Sequence, residues 1–336
     1  MTEDTQDRTG AYAEWMRPGW LPGRILVPLD GSSESERILH FVVPLAEKIG
    51  SSMVLMAVLD TEDPDELEGI PAVADPRALA LRESASEMAK DARDKAFKYL
   101  NRIASRFEST VSDIEVEVAF GEPADEIIKV SRAERDDMIA MSTRRESALA
   151  RGILGSVTSR VLSDARVPTL VVRVDERGQA AEPSWPQNIL VPLDVSPLSE
   201  TAVDAAISVA KATGAKVRFL RVTPRAYYPG LGGAIEYAGA GIFFGAELRE
   251  EALEYLSQFV DRARAEGVDA FPEARSGSAA EHIVDVLQDL PGSMAVMTSH
   301  GRSGFQRWAL GSVADKVVRS SARPVLILPA PRSPGE

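Results

Sequence analysis

No cysteine occurs among the 336 residues of this chain, so disulfides, thiolate metal sites and cysteine nucleophiles are all excluded. Histidine is nearly as scarce. His40, His282 and His300 are the only three, and they stand too far apart in sequence to read as a metal cluster. No apolar run approaches the ~18 residues of a membrane span, so no membrane partner is expected. The first twenty residues are polar and acidic and lack the apolar core of a secretory signal, and the chain therefore reads as cytoplasmic. Basic charge is in deficit: 38 Lys and Arg stand against 51 Asp and Glu, a net charge of −13. Phosphate backbones would be repelled, which argues against a nucleic-acid partner. Familiar fingerprints are missing too. "GRSG" at Gly301 is not followed by the Lys-Ser/Thr of a P-loop, nor is it a hydrolase elbow, and no G-x-G-x-x-G opens a helix after the first strand. "DTEDPDELEG" from Asp60 lacks the ligand spacing of a calcium loop and reads as a solvated connection.

What the chain does contain, it contains twice. "ILVPLDGS" at Ile25 returns as "ILVPLDVS" at Ile189, 164 residues later. Val58 still matches Val222 at that offset. Further on the offset is 156: "GEPADEI" at Gly121 matches "GSAAEHI" at Gly277, and "RGILGSVTSRV" around Gly155 matches "RWALGSVADKV" around Gly311. The second copy has lost eight residues between those points. A repeat this long describes two domains rather than a solenoid. The expected division is a tail over 1–20, domain 1 over 21–174, a polar Gly/Pro linker over 175–186 and domain 2 over 187–330. Trp15 and Trp20 are placed to pin the end of the tail to domain 1.

Within each copy, short apolar runs alternate with amphipathic stretches. "RILVPL" and "NILVPL" suit strands buried on both faces. Leu39, Val42, Val43, Ala46 and Ile49 recur at helical spacing, with Pro44 inside them as an expected kink. Longer helices are expected over about Ser84 to Phe107 and Ala246 to Glu266. The alternation predicts α/β domains with parallel, doubly wound sheets and helices on both faces. Their ligand crevice lies beyond the carboxyl ends of the strands.

At that crevice copy two offers Asp194 and "MTSHGRSGFQRWALGSVADKV", from Met297 to Val317. Gly301 permits a sharp bend, and Gly311-Ser312 opens a helix whose first amides form an anion site. Ser312 adds a hydroxyl or caps the helix. Phosphate is the obvious anion, and His300 lies where it could donate to one. Asp194, being acidic, suits a ribose hydroxyl or a base amine instead. A helix cap and a turn would explain the same residues. The connection over 223–245 alternates six glycines with Tyr227, Tyr228, Tyr237, Phe243 and Phe244. It reads as a lid or partner surface, or as a loop covering its own sheet edge or the sister domain.

"ILVPLDGS", "GEPADEI" and "MTSHGRSGFQRWALGSVADKVVRSSARPVLIL" resemble the universal stress protein family, twice over and from Arg24 to Pro329. The resemblance implies five parallel strands in the order 3-2-1-4-5 in each domain and an intramolecular pseudo-dimer. It implies ATP as ligand, with or without Mg2+, and a stress-linked role without catalysis or with weak ATP hydrolysis. Adenine and ribose would contact Pro192, Asp194 and Val222; the phosphates would contact Gly301, Gly311, Ser312 and Val313. ATP-binding members carry a glycine where this chain has Thr298. A Thr there is costly if the backbone needs positive φ, and comfortable if it merely ends the strand. Copy one keeps Asp30, Val58, Gly155 and Ser156 but has Ser142 and Arg145 in place of both early glycines, which implies a degenerate site. The expected function is a nucleotide-gated stress sensor or adaptor, binding adenine nucleotide mainly through domain 2. An ATP-independent scaffold and a weak ATPase are the alternatives. Protein partners stay unspecified, and a homodimer is left open.

Overall fold

A computed structural model describes residues 14–61, 63–64, 76–133, 137–144, 154–174, 185–224, 236–300 and 310–330. In the first half, β1 (Arg24–Pro28) leads through a short helix α1 (Ser33–Glu36) into α2 (Leu39–Ile49). Then come β2 (Ser52–Leu59), α3 (Pro76–Ala104), β3 (Ile114–Phe120), α4 (Pro123–Ala133), β4 (Met138–Arg144), α5 (Ser156–Asp164) and β5 (Thr169–Val174). The second half repeats the series: β6 (Asn188–Leu193), α6 (Pro197–Glu200), α7 (Ala202–Thr213), β7 (Lys216–Thr223) and α8 (Glu236–Ala265). It closes with β8 (Ala270–Ser276), α9 (Ala279–Asp289), β9 (Ser293–Thr298), α10 (Ser312–Ser320) and β10 (Val325–Leu328).

The ten strands form one sheet in the order β3-β2-β1-β4-β5-β10-β9-β6-β7-β8. Each half therefore has the expected order 3-2-1-4-5, and every pairing within a half is parallel. The halves join where their fifth strands run antiparallel, Val171 opposite Val325 and Thr169 opposite Ile327. Successive residues of β1 turn to opposite faces: Ile25 and Val27 enter one core layer, Leu26 the other. That is why the strand is apolar throughout rather than alternating. Each layer runs without interruption across both halves. One gathers Leu100, Trp185, Phe219, Leu256 and Phe259; the other gathers Ile127, Val161, Ile283 and Val317. Trp185, just before β6, meets the Phe41 ring edge-on at 5.4 Å, tying the second half to α2 of the first.

Three local points go beyond the expectations. Trp15 and Trp20 are buried in the core layer shared by both halves, and the 3-10 turn Glu14–Met16 also packs on α7, a helix of the second half. The first-helix interruption lies at Arg37–Ile38, and α2 continues through Pro44. The same interruption occurs at Thr201 in the second half, where Ser208 stands in place of proline. It belongs to the fold rather than to Pro44. Helix α8 begins at Glu236, ten residues earlier than the spacing suggests, so part of the glycine/aromatic connection is helix. Gly239, Gly241 and Gly245 each cost about 1 kcal/mol relative to Ala, but extending a helix already nucleated by the strong formers after Ala246 needs no new nucleus. Residues 225–235, with Tyr227 and Tyr228, lie outside the described residues. No helix among the described residues is long and apolar enough to cross a membrane.

Candidate functional site

In the second half the chain winds outward from β6 to β8 and then returns through β9 to β10, so the switch point lies between β6 and β9. Beyond their carboxyl ends is a pocket of about 220 Å3, where the topology puts a ligand crevice. It is lined by Pro192 on β6 and Asp194 just after it, Val222 on β7, Thr298 at the end of β9 with Ser299 and His300 beyond it, and Gly311 to Ala314 at the start of α10. Seven of the residues singled out in the sequence of this half, together with Thr298, thus meet at one place. Gly301 lies outside the described residues. Leu193, Arg221 and the apolar floor of Leu220, Ile283 and Met297 were not singled out. Only their place beside motif residues on the same strands could have marked them.

The wall at β6 is a tight turn. The Asp194 carboxylate accepts the Ser196 amide at 3.0 Å and the Ser196 hydroxyl. The Asp194 amide donates to the Ser199 hydroxyl at 3.2 Å, and Ser196 caps α6 by accepting the Ser199 amide. Val195 between them has φ of 68°, the left-handed region that a β-branched residue rarely enters. The first half builds the same turn from Asp30, Ser32 and Ser35, with Gly31 at φ of 79°. One carboxylate oxygen in each half is thus already used to shape the backbone.

The opposite wall is where β9 stops. Thr298 is the last extended residue, buried, with no positive φ. It is the comfortable case: its hydroxyl donates to the His300 carbonyl at 2.7 Å and helps turn the chain. The Ser299 hydroxyl accepts the Ala330 amide at 3.0 Å and lies 3.1 Å from Nδ1 of His300. That contact holds the imidazole against the end of β9, on the pocket wall.

Glycine at 311 is needed for close approach. Its amide donates to the Ser299 carbonyl at 2.7 Å. A Cβ there would stand 3.0 Å from that carbonyl oxygen and 3.3 Å from the His300 Cα. Gly311 is itself the N-cap and no side chain caps α10, so Ser312 does not act as the cap. The first intrahelical bond runs from Asp315 to Gly311, leaving the amides of Ser312, Val313 and Ala314 without helical partners at the pocket wall. Three amides at a positive helix end, with the His300 imidazole nearby, form a surface suited to phosphate oxygens.

In the first half β4 continues to Arg144, two residues past the point where β9 ends. Thr143 pairs with Arg173 and Arg144 with Val174, so the strand goes on where Ser299 and His300 turn. Ser142 lies inside this strand. The Thr143 hydroxyl is buried without a hydrogen-bond partner. Gly155 caps α5 with nearly the geometry of Gly311, but a Cβ on it would meet nothing closer than Thr143 Oγ1, at 3.9 Å. Asp30 follows β1, Val58 lies on β2 and Ser156 starts α5, as expected, while Arg145 lies outside the described residues. Among the described residues no group of acidic and histidine side chains could hold a metal ion.

Behind the β6 turn, the Tyr255 hydroxyl donates to Glu200 at 2.8 Å, and burial, then Glu200, drives its pKa far above the ordinary tyrosine value. Tyr99 and Glu36 repeat the pair at 3.2 Å, and burial, then Glu36, pushes the Tyr99 hydroxyl up to about 12.

The chain matches the model of the universal stress protein family twice, over residues 22–173 and 186–329. A universal stress protein of Mycolicibacterium smegmatis is 26% identical over 313 residues, covering 90% of this chain and 96% of that one. The universal stress protein YxiE of Bacillus subtilis is 32% identical over 143 residues, 42% of this chain and 97% of its own. Among solved structures, a universal stress protein from Archaeoglobus fulgidus aligns with a TM-score of 0.62 at 24% identity, over 92% of this chain and 98% of that one, and supports the fold. The chain belongs to the universal stress protein family and carries two of its domains in tandem.

Proposed function

We propose that the second half binds an adenine nucleotide, ATP in the first instance, and that the protein acts as a nucleotide-gated stress sensor or adaptor. The observation carrying this reading is the convergence, on one pocket, of the α10 first-turn amides and the His300 imidazole with the apolar floor beside Asp194. The phosphates belong at Gly311 to Val313. The base and ribose belong between Val222 and the β6 turn, with Pro192 and Asp194. The first half, with β4 running straight past the equivalent point, is read as a degenerate copy of the site. Binding rather than turnover is the proposed activity, because the Asp194 carboxylate is already engaged by Ser196 in shaping the turn. Calorimetry of the full chain with ATP, alongside Gly311→Val, tests this. Saturable binding lost in the variant is the expected result. Wild-type protein that takes up no ATP at millimolar concentration turns the reading into that of a scaffold, and steady phosphate release lost with Gly311→Val turns it into that of an ATPase.

A further inference from the structure

Helix α10 is nine residues long, and its two ends are held by different halves of the molecule. Its N-terminal end is fixed within the second half by the contact from the Gly311 amide to the Ser299 carbonyl. Its last turn receives the guanidinium of Arg173, on β5 of the first half, which donates through Nη1 to the carbonyl of Arg319. The antiparallel seam makes this contact available. Because β5 and β10 run in opposite senses, the carboxyl end of β5 lies where β10 begins, next to the end of α10. Arg173 also lies on the sheet face that carries α10: its neighbour two residues back, Val171, enters the same core layer as Val317 and Val318. And β5 reaches Arg173 as a strand because β4 continues to Arg144 beside it.

Among the described residues there is no reciprocal contact. The residue that matches Arg173, just after β10, is Pro329, which offers no donor. The last carbonyl of α5, on Asp164, is met instead by Arg132 of its own half at 3.0 Å. A cation on the final carbonyls of a helix satisfies orphaned acceptors and opposes the negative end of the dipole. Here that service crosses from one half to the other in a single direction.

We propose that Arg173 is a positioning residue for the pocket of the second half, so that the first half holds the phosphate-facing helix of its sister in place. This rests on the function proposed above for what the pocket binds, but not for the coupling itself. The test uses the full-length chain, with Arg173→Met and Arg173→Lys. Without nucleotide, hydrogen exchange of the α10 amides from Asp315 to Ser321 is expected to speed up about tenfold in Arg173→Met, as an end contact of this kind implies. The α5 amides from Ser159 to Ala165 keep their rates, and Arg173→Lys restores most of the protection. In calorimetry, Arg173→Met weakens ATP about three- to tenfold and leaves adenosine, which lacks phosphate, unchanged. Unaltered α10 exchange in Arg173→Met overturns the proposal. So does an equal loss for ATP and adenosine with α5 exchange raised as well, which is general destabilisation. Should the wild type bind no nucleotide, the functional reading fails while the exchange rates still decide the coupling.

Discussion

The two halves of this chain end their first strands alike and their fourth strands differently. After β1 and β6 the same Asp, Ser and Ser side chains close the same turn. After β9 the chain turns at once, and Ser299 has its hydroxyl between an amide and an imidazole. After the matching point in β4 it stays extended for two more residues, and Thr143, in the place of Ser299, has a buried hydroxyl with no partner. Both following helices open on Gly-Ser with nearly identical cap geometry. A glycine-serine helix start is therefore not what tells the halves apart. Among the described residues, what differs is the residue at which the fourth strand stops.

Gly311→Ala and Gly155→Ala should separate the halves most sharply. The first places a methyl 3.0 Å from a backbone oxygen, whereas the second meets only a hydroxyl at 3.9 Å. Calorimetry should show ATP affinity falling at least about tenfold for position 311, the cost of about 1.4 kcal/mol of lost fit, with position 155 neutral. Next comes the φ-positive turn residue. Gly31→Val should destabilise by about 1–3 kcal/mol, as expected for a β-branched residue in the left-handed region, and Val195→Gly should recover part of the same strain. Urea midpoints of both variants report this; equal and opposite shifts would show the two turns to be interchangeable. A smaller contrast lies in the strand-four hydroxyls. Ser299→Ala leaves the Ala330 amide unpaired and should cost about 1–2 kcal/mol. Thr143→Val removes a polar atom that has no partner and should be neutral or stabilising by up to about 1 kcal/mol.

The smallest expected effect concerns pH. Tyr99 keeps its proton to about pH 12 in the folded chain, against 10.0 for an unperturbed tyrosine. The folded state therefore binds more protons across that window. The stabilisation is complete below pH 10 and is lost as the pH climbs towards 12. Tyr99→Phe should flatten the decline in urea midpoint between those values, and Tyr255→Phe should do the same in the other half.

Much of this was written plainly in the chain. The two offsets gave the duplication, and buried runs such as Ile25–Val27 and Ile189–Val191 gave the strands, because a parallel strand covered on both faces has little room for polar residues. Seven of the residues proposed for the second pocket, and Thr298 with them, line it. What stayed hidden depends on tertiary context. Whether Thr298 is strained could not be known until its backbone proved extended. Nothing local in "SMAVMTSH" and "DMIAMSTR" says that one strand ends two residues before the other. Trp15 looks like a tail residue because its partner helix, α7, is nearly two hundred residues away. Arg173 reads as one polar residue near a strand end, since its acceptor on Arg319 is supplied by the other copy.

Because each hydrophobic layer passes through the β5–β10 seam without a break, cutting the chain between its copies would not release two finished modules. Each fragment would carry a raw strand edge flanked by greasy surface on both sides, an invitation to pair with whatever strand comes near. Joining the two copies in one chain closes an interface that separate subunits would have to find by diffusion, and melting should accordingly erase both copies in a single step.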